Sequence, residues 1–377
     1  SNTTGGTNSA FGGNALSANT TGTLNTATGY QALASNTTAS SNTSVGYNSL
    51  VSNTTGASNT SIGKEALCLN STGTENTGVG KDVLKRNTTG AGNTAVGVEA
   101  LNKNTTASNN VALGKLAMFT NTTGGANTAL GYQALRLNVS GASNTAVGLC
   151  ALRGNTTGAS NTAVGTNAMY EGTTTGDFNT MVGVSSGRKM TSGTQNTASG
   201  VNAMELNTTG ASNVAMGMSA LAANTNASQN TAVGHSALAA NTTGETNTAV
   251  GRFALTANTT ASNNTAVGRN SLSANTTAAN NTAVGYSALG ANTTGTVNTA
   301  VGQGALQVST TGTDNTAVGG TALKCNTTGA SNTAVGKDAL FKNTTGGANV
   351  AIGATAGDAI TTGSNNTALG FESAGKL

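Results

Sequence analysis

His235 is the one histidine in 377 residues, and it stands where comparable stretches of the chain carry Tyr, Lys or Arg. A lone imidazole at a variable, outward place reads as a solvated loop residue. No Ser/His/Asp or Cys/His set can be assembled around it. Metal sites need clustered His, Cys or carboxylates, and the twelve acids are spread along the chain. The calcium-binding nonapeptide pattern is missing. The 53 glycines punctuate short units, and none belongs to a phosphate loop opening a helix. No catalytic, cofactor-binding or metal-binding residue is therefore assigned, and the chain is expected not to be an enzyme.

Weaker chemical signals lead the same way. Cys68, Cys150 and Cys325 lie far apart in the repeat and are not expected to pair. Tyr30, Tyr47, Tyr132 and Tyr286 share one column without being adjacent and read as scattered exposed aromatics. Asn-Thr-Thr recurs through most of the chain and matches a glycosylation sequon. Such sites, stacked about 4.8 Å apart, are too close for a glycan on every one, and a turn explains the tripeptide on its own. Sixteen Lys and Arg against twelve acids give a net charge of +4 with no dense run. They read as scattered along the chain, so the basic pI points to no partner, and nucleic acid is not expected. No apolar run is long enough to span a membrane, so membrane insertion is not expected.

What positions these residues is a repeat. An asparagine recurs at a 17-residue step from Asn8, Asn25 and Asn42 to Asn349 and Asn366, with one slip to an 18-residue step between Asn161 and Asn179. Each copy is followed four residues later by a glycine, from Gly12 to Gly370. The consensus is N-T-A-V-G-x-x-A-L-x-x-N-T-T-G-x-x, and its seventeen places are counted below from that asparagine. Two obligatory small places, a β-favouring T-x-V and an N-T-T-G turn are wrong for a helix. Short strands separated by turns fit.

A period this strict predicts an all-β, parallel β-solenoid of about 22 coils, one unit per coil, over residues 1–377 as a single continuous domain. At about 4.8 Å per coil the rod would be roughly 105 Å long. Alternation in T-A-V puts Thr and Val on one face and Ala on the other. Val replaces Thr at the second place, which argues for Thr and Val facing the core. The small Ala face then approaches something closely. A second short strand is expected over A-L, with Leu inward. Irregular geometry is expected near 172–193, where Met190 stands at the turn Asn's place, and a variant coil near 353–363, where Ile360 does. In both, the lost Leu is expected to be replaced by an apolar side chain from a shifted position.

The N-T-A-V-G-x-x-A-L unit resembles the repeats of trimeric autotransporter adhesin heads. N-T-A-T-G-Y-Q-A-L at Asn25–Leu33 and N-T-A-L-G-Y-Q-A-L at Asn127–Leu135 look like repeats of bacterial and phage tail-fibre-type proteins. The resemblance covers essentially the whole chain. It implies parallel β-rolls joined as a homotrimer, with the Ala face as the contact between chains. The expected function is a structural or adhesive extracellular fibre, a spacer on a cell or virion surface, assembled as a homotrimer or head-to-tail filament. A host receptor or glycan would be met by a tip outside this chain. A ligand-binding solenoid surface, for ice or glycan, is the alternative. The chain begins and stops partway through a unit, which reads as a segment of a longer protein.

Overall fold

A computed structural model describes residues 4–375. Among the described residues the protein is all-β, with 22 three-residue strands and no helix. It divides into two compact units, Ser1–Ser192 and Gly193–Leu377. The first holds strands β1 (Ser9–Phe11) to β11 (Thr180–Val182), and the second holds β12 (Thr197–Ser199) to β22 (Thr367–Leu369). Within each unit successive strands pair in parallel, every residue opposite its counterpart one repeat on, as in Thr43↔Thr60 and Thr248↔Thr265. One repeat makes one coil of a β-solenoid. Each coil passes its ladder hydrogen bonds to the next, as in Thr43 N–H to Asn59 O at 2.8 Å and Leu50 N–H to Ala66 O at 2.9 Å.

The strand is short because it is cut at both ends. The first-place Asn precedes it and the fifth-place Gly ends it. Gly131 has φ +136°, and a Cβ there would sit 2.4 Å from the carbonyl oxygen of Gly148 in the next coil. Any side chain would collide with backbone as well as strain φ, which is why this place is Gly in every coil.

The inward face differs from the expectation. Ala at the third place is buried, while Val and Thr on either side of it are partly exposed: Ala95 is 0% exposed and Val96 40%. The core side of the strand is the Ala side. Val exchanges with Thr at the second place because both suit a half-exposed strand surface, not because the place is buried. The coil is too narrow for a larger third residue. A Cβ on Gly78 would meet Val83 Cγ1 at 3.1 Å and Leu67 Cδ1 at 3.4 Å, so the third place packs directly on the eighth and ninth. Gly78 is small where Val83 is large, which conserves volume. Where serines replace these alanines, hydroxyls bond across the same gap: Ser49 Oγ donates to Ser61 Oγ at 2.7 Å, and Ser61 Oγ to Ala66 O at 2.9 Å.

Leu at the ninth place is inward as expected, but A-L is no strand. Leu50 has φ 52° and lies within two successive turns, Ser49 N–H to Gly46 O and Asn53 N–H to Leu50 O. Each coil carries three such left-handed residues besides its Gly, for example Asn48, Leu50 and Ser58. Left-handed backbone costs an L-residue roughly 1–2 kcal/mol. One Leu cannot offset three of these, so a coil holds its shape only between neighbours.

Two asparagines close most coils from inside. Asn42 Nδ2 and Asn53 Nδ2 both donate to the carbonyl of Gly56, at 3.0 and 2.9 Å. Their side chains also run along the stack: Asn42 Oδ1 accepts from the Asn59 N–H at 2.9 Å, and Asn70 Nδ2 donates to Asn53 Oδ1 at 2.9 Å. Both asparagine columns are buried and almost fully hydrogen-bonded, as buried amides must be.

Candidate functional site

Six places per coil point inward: the first, third, eighth, ninth, twelfth and fifteenth. The rest form three outward surfaces, and side chains that could do chemistry fall on these by position.

The Thr-Thr turn comes first. The sequon asparagine is the twelfth-place residue, and it is 0% exposed at Asn36, Asn53 and Asn70. Its amide nitrogen already donates two hydrogen bonds, as Asn53 Nδ2 does to Gly56 O and to Asn36 Oδ1 at 3.0 Å. A folded coil cannot carry a glycan on it. The following Thr donates along the stack, as in Thr54 Oγ1 to Ser71 O at 3.1 Å.

The second surface is the strand face, made of the second and fourth places. No Lys, Arg, Asp or Glu stands at either place in any coil. Its columns are mostly Thr at the second place, with Val at Val111, Val214 and Val350, and mostly Val, Leu, Ile or Met at the fourth, where Phe11, Thr28 and Ser199 depart, in register along each unit. The Ala face proposed as a chain-to-chain contact is inside the coil and cannot serve as one.

The third surface gathers the charge. Every Lys and Arg among the described residues stands at the sixth, tenth or eleventh place, so the basic residues that looked scattered in the sequence share one face. Eight of the twelve acids join them at the seventh, tenth or eleventh place, and the other four (Glu75, Asp177, Glu245, Asp314) lie at the sixteenth or seventeenth. All the described aromatics except Phe11 and Phe178 are here too. The places touch one another: Lys85 bridges Glu65 and Asp82 at 2.5 and 3.1 Å, and Arg153 Nε donates to Gln133 Oε1 at 3.1 Å. Hydrogen bonds donated to Glu65 and then to Asp82 push the Lys85 pKa up. Acids far apart in sequence thus meet across coils, but here around a cation that compensates them.

Aromatics on this face hold the cations. Lys103 Nζ lies 5.1 Å from the Phe119 ring centre and Arg136 Cζ 5.9 Å from it, while Arg153 Cζ is 5.4 Å from the Tyr170 ring. Tyr30 and Tyr47, read as non-adjacent, sit in consecutive coils and stack at 5.7 Å. His235 is partly exposed and meets Phe253 edge-on at 5.4 Å.

Cys68 and Cys150 are not activated nucleophiles. Burial, then the Glu65 charge, pushes the Cys68 thiol up. Burial does the same at Cys150 and outweighs the opposing pull of Arg153 and Arg136. Among the described residues no three His, Cys, Asp or Glu side chains group as a metal site, and no helix is long and apolar enough to cross a membrane. A shallow depression beside Arg153 and Tyr170 combines a cation, an aromatic ring and a carboxylate (Glu171), and it forms where the 18-residue step opens the coil at Gly172. Position on the coil was the signal that could have revealed the charged face: counting Lys and Arg by place, rather than along the chain, shows it.

No protein-family model matches this sequence, and no curated protein matches it, so the three surfaces carry the functional reading.

Proposed function

We propose that the chain is a non-enzymatic shaft segment of an extracellular fibre in which several copies lie side by side. The observation that supports this is the strand face. It is half apolar in all coils but those of Thr28 and Ser199, recurs through both units, and carries no charge in any coil. A second copy can cover it without desolvating an ion, and long uncharged apolar surface on a soluble protein marks a contact region. The contact is then through Thr and Val, not through Ala. Multi-angle light scattering over a concentration series tests the reading. More than one chain per particle is expected; a single chain at every concentration overturns it.

The same face supports a second reading, binding to an ice lattice. Outward Thr hydroxyls recur at the strand spacing of about 4.8 Å, beside Val methyls, with no charge to order water otherwise. Purified protein would then show thermal hysteresis, and a freezing point equal to the melting point excludes it.

A further inference from the structure

The charged face is not uniform. From Arg86 to Tyr170 in the first unit it carries Arg86, Lys103, Lys115, Arg136 and Arg153 against Glu99 alone, a surplus of four positive charges. None of these five cations has a carboxylate partner among the described residues. Other cations of this face are compensated: Lys64, Lys81 and Lys337 each lie within 4.0 Å of a carboxylate, those of Glu65, Asp82 and Asp338. Arg86 and Lys103 share the eleventh place and Arg136 and Arg153 the tenth, each pair in consecutive coils, and Lys115 stands between them at the sixth, so the five follow one face from coil to coil. Six coils make this ridge about 24 Å long.

We infer that this ridge binds a linear anionic polysaccharide, one bearing sulfates or carboxylates along an extended chain. Cations repeated from coil to coil along one face of a stiff backbone match charges spaced along such a chain, and a surplus of four positive charges raises the local concentration of an anion. The depression at Arg153, Tyr170 and Glu171 lies at the end of the ridge and offers an aromatic ring and polar groups to a sugar. Nucleic acid suits the ridge less well. A duplex turns once in about 34 Å, so a ridge shorter than that meets few phosphates. Single strands bind by stacking bases on open aromatic faces, and Phe119 lies between Lys103 and Arg136 instead.

The inference is independent of the fibre reading, since a single chain carries the whole ridge. It is tested on the full chain by titration calorimetry with heparin, which bears both sulfate and carboxylate, at two salt concentrations. The triple variant Arg86→Gln/Arg136→Gln/Arg153→Gln is compared with a charge-matched control at cations that already have carboxylates beside them, Lys64→Gln/Lys81→Gln/Lys337→Gln. We expect binding by the parent that weakens with salt, a loss of roughly tenfold or more in the first variant, and less than about twofold in the control. Equal losses in both variants, no loss in the first, no binding by the parent, or tighter binding of DNA than of heparin overturns the inference. If the first variant has a lowered melting temperature, Lys103→Gln/Lys115→Gln replaces it, with the same outcomes read.

Discussion

A single buried amide shows how the stack is held and where it is weak. The twelfth-place asparagine ladder is broken where another residue takes the place, and the break leaves a mark. Asn292 Oδ1 has no partner beneath Ser309, whose own hydroxyl is also unpaired. Asn343 Oδ1 is unpaired before Ile360, and Asn155 Oδ1 is unpaired where the 18-residue coil begins. An unsatisfied buried polar atom costs roughly 1–3 kcal/mol. Ser309→Asn places an amide between Asn292 and Asn326 and completes the ladder through it. We expect stabilisation of about 1–2 kcal/mol, read as a higher denaturant midpoint with unchanged slope; an unchanged midpoint would show that the gap costs nothing. The thiols give a second test at this scale. With burial and Glu65 raising it, Cys68 should be alkylated with a pH midpoint above 9.0 in a chain whose other two cysteines are Ser. A midpoint near neutrality would mean the thiol is far more open than the coil allows.

At the scale of one coil, the irregular repeats show what the ninth-place Leu is for. Gly187 keeps the left-handed backbone of that place, φ 58°, without the side chain. Met181 fills the space: a Cβ on Gly187 would meet its Sδ at 2.7 Å. Met190, at the twelfth place, is buried as well. Near the other variant coil, a Cβ on Gly357 would meet Leu340 Cδ2 at 3.0 Å and Ile360 Cδ1 at 3.3 Å. Volume is thus conserved per coil while its source moves. Gly187→Leu alone should destabilise by about 1–3 kcal/mol through overpacking, and Met181→Ala alone by about 2–5 kcal/mol through a cavity. The double variant restores the consensus pair and should lose much less than the sum, a coupling that equilibrium unfolding measures. Strict additivity would show that the two side chains do not share the space. The asparagine step, the Gly after the strand and the inward Leu were legible in the sequence because each place has one steric requirement. The inward face of T-A-V was not, because Thr/Val exchange is compatible with burial and with a half-exposed strand alike. Only the width of the coil, set by Leu and two Ala, decides between them. The turn over A-L was hidden for a related reason: Leu takes a left-handed backbone here that its intrinsic preferences oppose, and only the stacked neighbours enforce it.

Across the whole molecule, the outward places separate charge from its absence. The strand face is neutral in every coil, and the basic residues occupy another face altogether. A stack of identical ladders has no other means of keeping its sides distinct, since the backbone offers the same hydrogen bonds all round. If the neutral face is where copies meet, one charge pair placed in it should separate them. Val147 and Val164 are neighbours in consecutive strands, directly opposite in register, and both are partly exposed. Val147→Lys/Val164→Lys puts two like charges side by side on that face, where burial against a second copy would strip them of water without supplying a partner. The fold should survive, because neither Val belongs to the core, and the melting temperature at low protein concentration should fall only slightly. Light scattering should then report a smaller assembly than the parent forms. A control pair on the charged face, Leu116→Lys and Gln133→Lys, should leave assembly as it was. If both pairs act alike, net charge and not the face governs association. If neither pair changes the assembly, the Thr/Val surface is not where copies meet, and its neutrality belongs to the lattice-binding reading instead.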